Sequence, residues 1–360
     1  MTMLPDKMPW WAWAWPSLAM AMLLGSAFGS LSAVMLGVSG VILISTVFAA
    51  VFHAEVVAHK VGEPYGTLVL ALAVTVIEVA LIVSIMISGG AEKSGMARDT
   101  VFAAVMIICN GLVGMCLLAG GVRHHIQDFR FEGALAALAV LAALVTLTLV
   151  LPNVVSDPGP VFSNPQVLFA GAASLVLYGS FVFVQTVRHR DYFLPAGGGS
   201  DEDHAAPPSA RVAATSFGLL LISLVAVVGL AKLLSPTLEA GIDWLQIPKA
   251  VAGIVIAAVV LMPEGLAALR AARANRLQTS MNLALGSALA SIGLTIPAVA
   301  VVSIIIAQPL SLGLGEKEQV LLALTLLVTV ITLGTGRTTV LQGVVHLVIF
   351  VAFLFFTILP

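Results

Sequence analysis

Long apolar runs follow one another along nearly the whole chain, and this feature restricts its folding more than any other. Runs of about 20 apolar residues are each long enough to cross a hydrocarbon core of about 30 Å as a helix. Lipid offers no hydrogen-bond partner to an open backbone, so a chain of this kind folds as a helix bundle or a closed barrel. A barrel would show short alternating segments, which are absent. Charged residues make up 9% of the 360 residues and hydrophobic residues 60%, whereas soluble domains average about 25% charged. The fold class is an all-α polytopic membrane protein.

The apolar periodicity predicts about eleven transmembrane helices, near residues 10–28, 31–58, 64–89, 98–121, 131–151, 166–187, 211–234, 244–270, 278–307, 318–334 and 338–359. The second and ninth are long enough to extend beyond the bilayer. Trp10, Trp11, Trp13 and Trp15 in the first run read as an interfacial anchor. That run could also pass for a signal peptide, but a first membrane helix suits it better, since everything downstream must be inserted too. The polar stretch from Arg188 to Arg211 is rich in Gly, Pro, Ser and acids and reads as a flexible loop.

Lys and Arg collect on the cytoplasmic side of membrane proteins. With the N-terminus inside, eleven of the sixteen lie on inner segments and five on outer ones. The expected topology therefore has a cytoplasmic N-terminus, a cytoplasmic linker and an outer C-terminus, in the cytoplasmic (inner) membrane. The expected organisation is an N-terminal helix over 1–30, a five-helix repeat over 31–187, the acidic linker over 188–210 and a second five-helix repeat over 211–360. Five is odd, so homologous halves would be inverted in the membrane, a recurrent architecture of secondary transporters.

The halves share one unusual feature. In Gly62–Gly90 the mid-span acid is Glu78, and in Ile247–Arg270 it is Glu264. Both fall in the second helix of their five-helix unit, in segments that Gly and Pro interrupt. An ionised carboxylate deep in lipid costs several kcal/mol. A protonated packing residue would explain one such acid; two at matching places point to a shared site for cations and protons. Two carboxylates neutralise one divalent ion, and hard cations take oxygen ligands. Burial raises a carboxyl's pKa, so protons compete for the same oxygens.

Two acids do not fill a coordination shell. Further oxygen candidates in the following helices are Asn110 in the first half and Asn282, Ser287, Ser291 and Thr295 in the second. Ser287, Ser291 and Thr295 are four apart and share a face, although a small-residue packing face explains them about as well. Thr75, three residues before Glu78, is a weaker candidate. His53, Glu55 and His59, near the inner end of the second span, are candidates for a proton entrance or a snorkelling interfacial cluster. Glu63 would gate the cytoplasmic mouth or cap a helix start.

The stretches His53–Ile82 and Met262–Pro297 resemble the two alpha repeats of the calcium/cation antiporter superfamily, in its calcium/proton exchanger branch, and most closely the bacterial ChaA type. The branch's usual Gly-Asn-Ala-Thr/Ala-Glu becomes Thr75-Val76-Ile77-Glu78 and Leu261-Met262-Pro263-Glu264 here, with the glutamate kept. Met281-Asn282-Leu283-Ala284-Leu285-Gly286 resembles the family's Met-Asp-Leu-Ala-Leu-Gly. Ala290-Ser291 falls at its Gly-Ser, and Asn110 falls near its Ser-Asn. The resemblance implies export of Ca²⁺ in exchange for protons, with Na⁺ and K⁺ as further ions, and no cofactor. It also places Asp201–Asp203 at the family's acidic loop.

Other classes fit less well. A sodium-coupled exchanger or a cation channel on the same scaffold is the alternative function. Gly37-Val38-Ser39-Gly40 matches the serine motif of rhomboid intramembrane proteases, but small-residue helix packing accounts for it more simply. No Walker loop or His-Glu-x-x-His signature is present, which disfavours ATP-driven transport and a metalloprotease. The chain is not expected to be an enzyme. A net charge of −2 without a basic stripe speaks against a nucleic-acid partner. The expected partners are the lipid bilayer and inorganic ions, and a homo-oligomer is left open. Cys109 and Cys116 read as free packing thiols, and His346 reads as a packing residue alone in the last span.

Overall fold

The structure, a computed structural model, describes residues 8–26, 32–62, 65–89, 94–155, 160–194, 208–246, 248 and 250–359. Glu63, Lys249 and the acidic run Asp201–Asp203 lie outside the described residues. The helices are α1 Trp10–Ser26, α2 Ala33–Val61, α3 Tyr65–Gly89, α4 Met96–Met106, α5 Val113–His124, α6 Phe131–Val145, α7 Pro152–Val155, α8 Asn164–Phe183, α9 Ala210–Trp244, α10 Ala250–Arg273, α11 Leu277–Ile305, α12 Glu316–Leu333 and α13 Val340–Ile358. Among the described residues, eight helical stretches are long and apolar enough to cross a membrane, and Val69–Ser84 is a shorter apolar one. The protein is helical and membrane-spanning.

Two details differ from the sequence expectation. The helix α9 does not stop near residue 234 but continues through Pro236 to Trp244. Proline inside a helix removes one hydrogen bond without necessarily ending it, and neighbouring helices can make good the loss. The turns of π-helix at Ile107–Leu112, Thr146–Val150 and Val184–Arg188 were not anticipated, because one extra residue per turn has no compositional mark. The first joins α4 to α5, so that Met96–His124 runs as one helical stretch.

The chain forms two compact units that are not its two sequence halves. One comprises Met1–Ile85 with Gly199–Gln246, the other Met86–Gly198 with Ile247–Pro360. In the first, α1, α2 and α9 pack together around Ala19, Ile42, Ala226 and Leu230. Small side chains let the backbones approach, as in other membrane bundles. At Gly229 a methyl group would collide with Leu23. Gly62 ends α2 at φ 77°, and its N–H closes onto the Ala58 carbonyl. Only glycine takes that backbone geometry without strain.

In the second unit α11 is the central post. It packs against α8, α10, α6 and α4 and is buried nearly all round, from Leu277 to Ser303. A helix apolar on every face belongs in such a position. Glycines set the closest approaches. At Gly293 a methyl would stand 2.7 Å from Tyr178 Cβ on α8, and at Gly253 it would stand 3.0 Å from the Thr100 nitrogen on α4. Gly111, Gly114 and Gly121 form a seam along α5 and its π-helical entry. There α13 lies close, with Phe350, Leu347, His346 and Val340 against the glycines.

At one end of this unit, side chains tie the turns together. Gln127 and Asp128 form a two-residue antiparallel ladder with Thr338 and Arg337. Gln127 Nε2 donates to the Ala272 carbonyl at 3.0 Å and to Asn275 Oδ1 at 2.9 Å. Asn275 takes φ 59° in the turn between α10 and α11, a left-handed geometry that Asn tolerates better than most residues.

The packing gives an internally controlled prediction on α11. Gly293→Ala should lower the thermal unfolding temperature in detergent, because overpacking costs about 1–3 kcal/mol. Gly286→Ala, where nothing lies within 4 Å, should leave it unchanged or raise it slightly, since Ala is the better helix former. Equal effects at both positions would contradict the close α8–α11 contact.

Candidate cation site

In the first unit Glu78 sits midway along α3 and is 3% exposed. Thr75 is buried one turn earlier, and Ile82 and Met86 continue the same buried face, while Leu72 and Val76 are exposed. The spacing of three and four residues puts Thr75, Glu78, Ile82 and Met86 on one side of the helix. A carboxylate and a hydroxyl therefore share the inner face, and the outer face is left to apolar side chains.

The second unit holds Glu264, half-buried on α10, directly after the buried Pro263. Its Oε2 is out of reach of solvent. Pro263 has no N–H, so the carbonyl of Val259 loses its intrahelical partner. The sequence thus leaves a backbone oxygen without its usual intrahelical donor between one and two turns before the carboxylate. A methyl group at Gly265 would stand 3.7 Å from Leu112 Cδ1 of the π-helical turn, which places this part of α10 beside the turn that carries Asn110.

Ser287 and Ser291 lie on α11, which packs along α10. Ser291 is buried and Ser287 half-buried. Thr295, one turn beyond Ser291, is fully buried. Asn110 is also fully buried. Its Nδ2 donates to Thr325 Oγ1 at 2.9 Å on α12, and its Oδ1 lies 3.3 Å from His346 Nδ1 on α13. Glu264, Asn110, Ser287 and Ser291 thus belong to one unit, and Glu78 and Thr75 to the other. Among the described residues, no three His, Cys, Asp or Glu side chains gather as a metal cluster.

Asn282 is engaged elsewhere. Its Oδ1 accepts from Gln278 Nε2 at 3.0 Å, and its Nδ2 donates to the Phe193 carbonyl at 2.6 Å. Gln278 Oε1 in turn accepts from the Arg130 main chain. This places Asn282 in the chain of contacts at the end of the unit.

The residues considered for a proton entrance separate. His53 is buried and hydrogen-bonds the Ala12 carbonyl through Nε2 at 2.7 Å. A carbonyl only accepts, so Nε2 carries the proton. With the Trp11–Phe52 ring contact at 5.1 Å, it fastens α2 to α1. Glu55 is exposed and His59 half-buried. Ser39 of the Gly-Val-Ser-Gly motif donates to the Met35 carbonyl of its own helix. Cys109 and Cys116 are both buried and free. The buried contacts of His346 with Asn110 and Thr332 are not legible in the sequence. A histidine in an apolar span marked the place, but the partners are far away along the chain.

The sodium/calcium exchanger protein family matches residues 31–187 and 215–359. The chain belongs to this family. It is a ChaA-like member of the calcium/cation antiporter superfamily, one of transporters rather than enzymes. It is 38% identical to the sodium-potassium/proton antiporter ChaA of Escherichia coli over 315 residues, 87% of this chain and 85% of that one. It is 50% identical over 360 residues, 98% of this chain and 97% of the other, to a protein of Sinorhizobium fredii named as an ionic transporter, y4hA. The fold matches the solved Ca²⁺/H⁺ antiporter YfkE with a TM-score of 0.74 at 15% identity, covering 97% of this chain and 99% of that one. It also matches the H⁺/Ca²⁺ exchanger CAX with a TM-score of 0.68 at 14% identity, covering 95% and 87%.

The placement of Asn282 gives a prediction. Asn282→Ala should cost about 1 kcal/mol of stability per lost hydrogen bond and speed proteolysis near Phe193. The exchanger's apparent cation affinity should stay near wild type. A large loss of affinity at unchanged thermal stability would instead make Asn282 an ion ligand.

Proposed function

We propose that this exchanger exports Ca²⁺ from the cytoplasm in return for protons, by alternating access at a site built on Glu78 and Glu264. The observation that carries the reading is a carboxylate held within each of two apolar helices, one at 3% exposure and one behind an intrahelical proline. Charge in that setting is costly unless an ion or a proton neutralises it. Cytoplasmic cation displaces protons from the two acids, the neutralised site turns outward, and protons arriving from outside displace the cation. The remaining oxygen ligands in this reading come from Ser291, Ser287, Asn110, Thr75 and the carbonyl freed by Pro263.

Two relatives share the proton in their names and differ in the cation. ChaA is named for sodium and potassium, while an Aphanothece halophytica relative, 23% identical over 292 residues, is named for Ca²⁺. Both names include the proton. Two carboxylates favour a divalent ion, and one protonated plus one ionised acid would suit Na⁺ or K⁺. The organisation proposed with this mechanism has eleven spans, an N-terminal helix over 1–30 and inverted repeats over 31–187 and 211–360. The two stretches matched by the family follow those limits closely. The N-terminus and the linker 188–210 lie in the cytoplasm and the C-terminus outside the cytoplasmic membrane. The mechanism calls on no ATP, nucleic acid or cofactor.

Inverted membrane vesicles with an imposed pH gradient test this reading. The wild type should accumulate Ca²⁺ and dissipate the gradient, and Glu78→Gln and Glu264→Gln should each abolish both. Competition by Na⁺ and K⁺ ranks the ions. Wild-type exchange in both variants would remove the glutamates from the mechanism, and cation current without proton movement would make the protein a channel.

A further inference from the structure

The second unit contains a buried polar chain of which the glutamate mechanism uses only Asn110. It runs from Thr332 on α12 through His346 on α13 and Asn110 in the π-helical turn, and back to Thr325 on α12. Asn110, His346 and Thr325 are fully buried, and Thr332 is nearly so. From these contacts we infer that His346, together with Thr325, fixes which end of the Asn110 amide is available to a cation. His346 is thus a positioning residue for the exchange. The inference rests on the antiport reading above, in which Asn110 supplies an oxygen.

The direction of every hydrogen bond in the chain follows from its far end. Thr325 has one hydroxyl proton, and Oγ1 lies 2.7 Å from the Leu321 carbonyl, which only accepts. That proton is engaged there, in the usual back-bond of a helical threonine. A weaker contact with Met106 Sδ at 3.4 Å would use the same proton. Toward Asn110, Thr325 Oγ1 can only accept. The 2.9 Å contact is therefore Nδ2–H donating, and the amide is turned with Oδ1 toward His346.

Oδ1 has no proton, so the 3.3 Å contact requires one on His346 Nδ1. In a neutral imidazole Nε2 is then the acceptor, and it receives the Thr332 hydroxyl at 3.1 Å. The contact with Asn110 joins the ring to the π-helical turn Ile107–Leu112. Wide turns of this kind occur often at functional sites.

The two ends of an Asn amide are almost the same in shape and opposite in charge. Cations take the oxygen and are repelled by the NH₂. An amide free to rotate presents either end; this one is held. Oδ1 keeps a second lone pair beyond the one facing His346, and that lone pair is the ligand the chain preserves. Outer-shell partners orient metal ligands in the same way elsewhere, and their loss costs about 10- to 100-fold in affinity.

Vesicle uptake at varied Ca²⁺ tests the inference. His346→Leu should raise the apparent KM for Ca²⁺ by about 10- to 100-fold and keep the maximal rate. His346→Asn, which places an N–H close to where Nδ1 stood, should restore the KM. Thr325→Val should behave like His346→Leu, and Thr325→Ser like wild type. In an Asn110→Ala background His346→Leu should add nothing. In the unaltered protein, nitrogen NMR of labelled histidine should find the His346 proton on Nδ1. A proton on Nε2 overturns the inference. So does a His346→Leu variant that loses rate or stability at unchanged KM, or a failure of His346→Asn to rescue. Normal wild-type exchange beside an unmoved KM sinks this inference alone; a wild type without proton-driven uptake sinks the antiport reading and this with it.

Discussion

The cost of charge in hydrocarbon governs this structure. Almost every residue of the spanning helices avoids it, and the few that do not are placed with care. Glu78 lies on the inner face of α3 with Thr75, and Glu264 follows a proline that cannot donate to its own helix. A carboxylate so placed needs a neutralising partner. Where protons and metal ions compete for that role, the competition can be used to exchange one for the other. Transport in this account is the consequence of a folding problem solved twice in one chain.

The scaffold answers the same constraint with small residues. The helix α11 carries hydroxyls through the middle of the second unit because its glycines let neighbouring backbones close around it. Gly293 admits Tyr178 of α8, Gly253 of α10 admits the backbone of α4, and the glycine seam of α5 admits α13. The seam brings His346 to the π-helical turn that displays Asn110. Packing geometry and polar chemistry thus depend on the same glycines, and a bulkier residue there would disturb both.

Much of this was legible in the sequence, because hydropathy has few alternatives in a membrane. The run predicted over 131–151 is observed as Phe131–Val150, and that over 278–307 as Leu277–Ile305. Both acids stand out against apolar surroundings and so could be named from sequence. What could not be read depends on tertiary partners or on the fine winding of a helix. Proline at 236 suggests an end that neighbouring helices override. A π-helical turn leaves no mark in composition. His346 looked solitary because its partners, Asn110 and Thr332, are 236 and 14 residues away in the chain. Asn282 looked like its neighbours Ser287 and Ser291 by residue type, and only the fold shows that its amide holds Phe193.

The central claim is that cation and proton compete for one pair of carboxylates. Proton release on cation binding, measured with purified protein in weakly buffered detergent solution, tests it most directly. The account predicts that adding Ca²⁺ to the wild type releases protons, that the release saturates with binding, and that it vanishes in the Glu78→Gln, Glu264→Gln double variant. Saturable Ca²⁺ binding with no proton released, or release that survives loss of both acids, would contradict it.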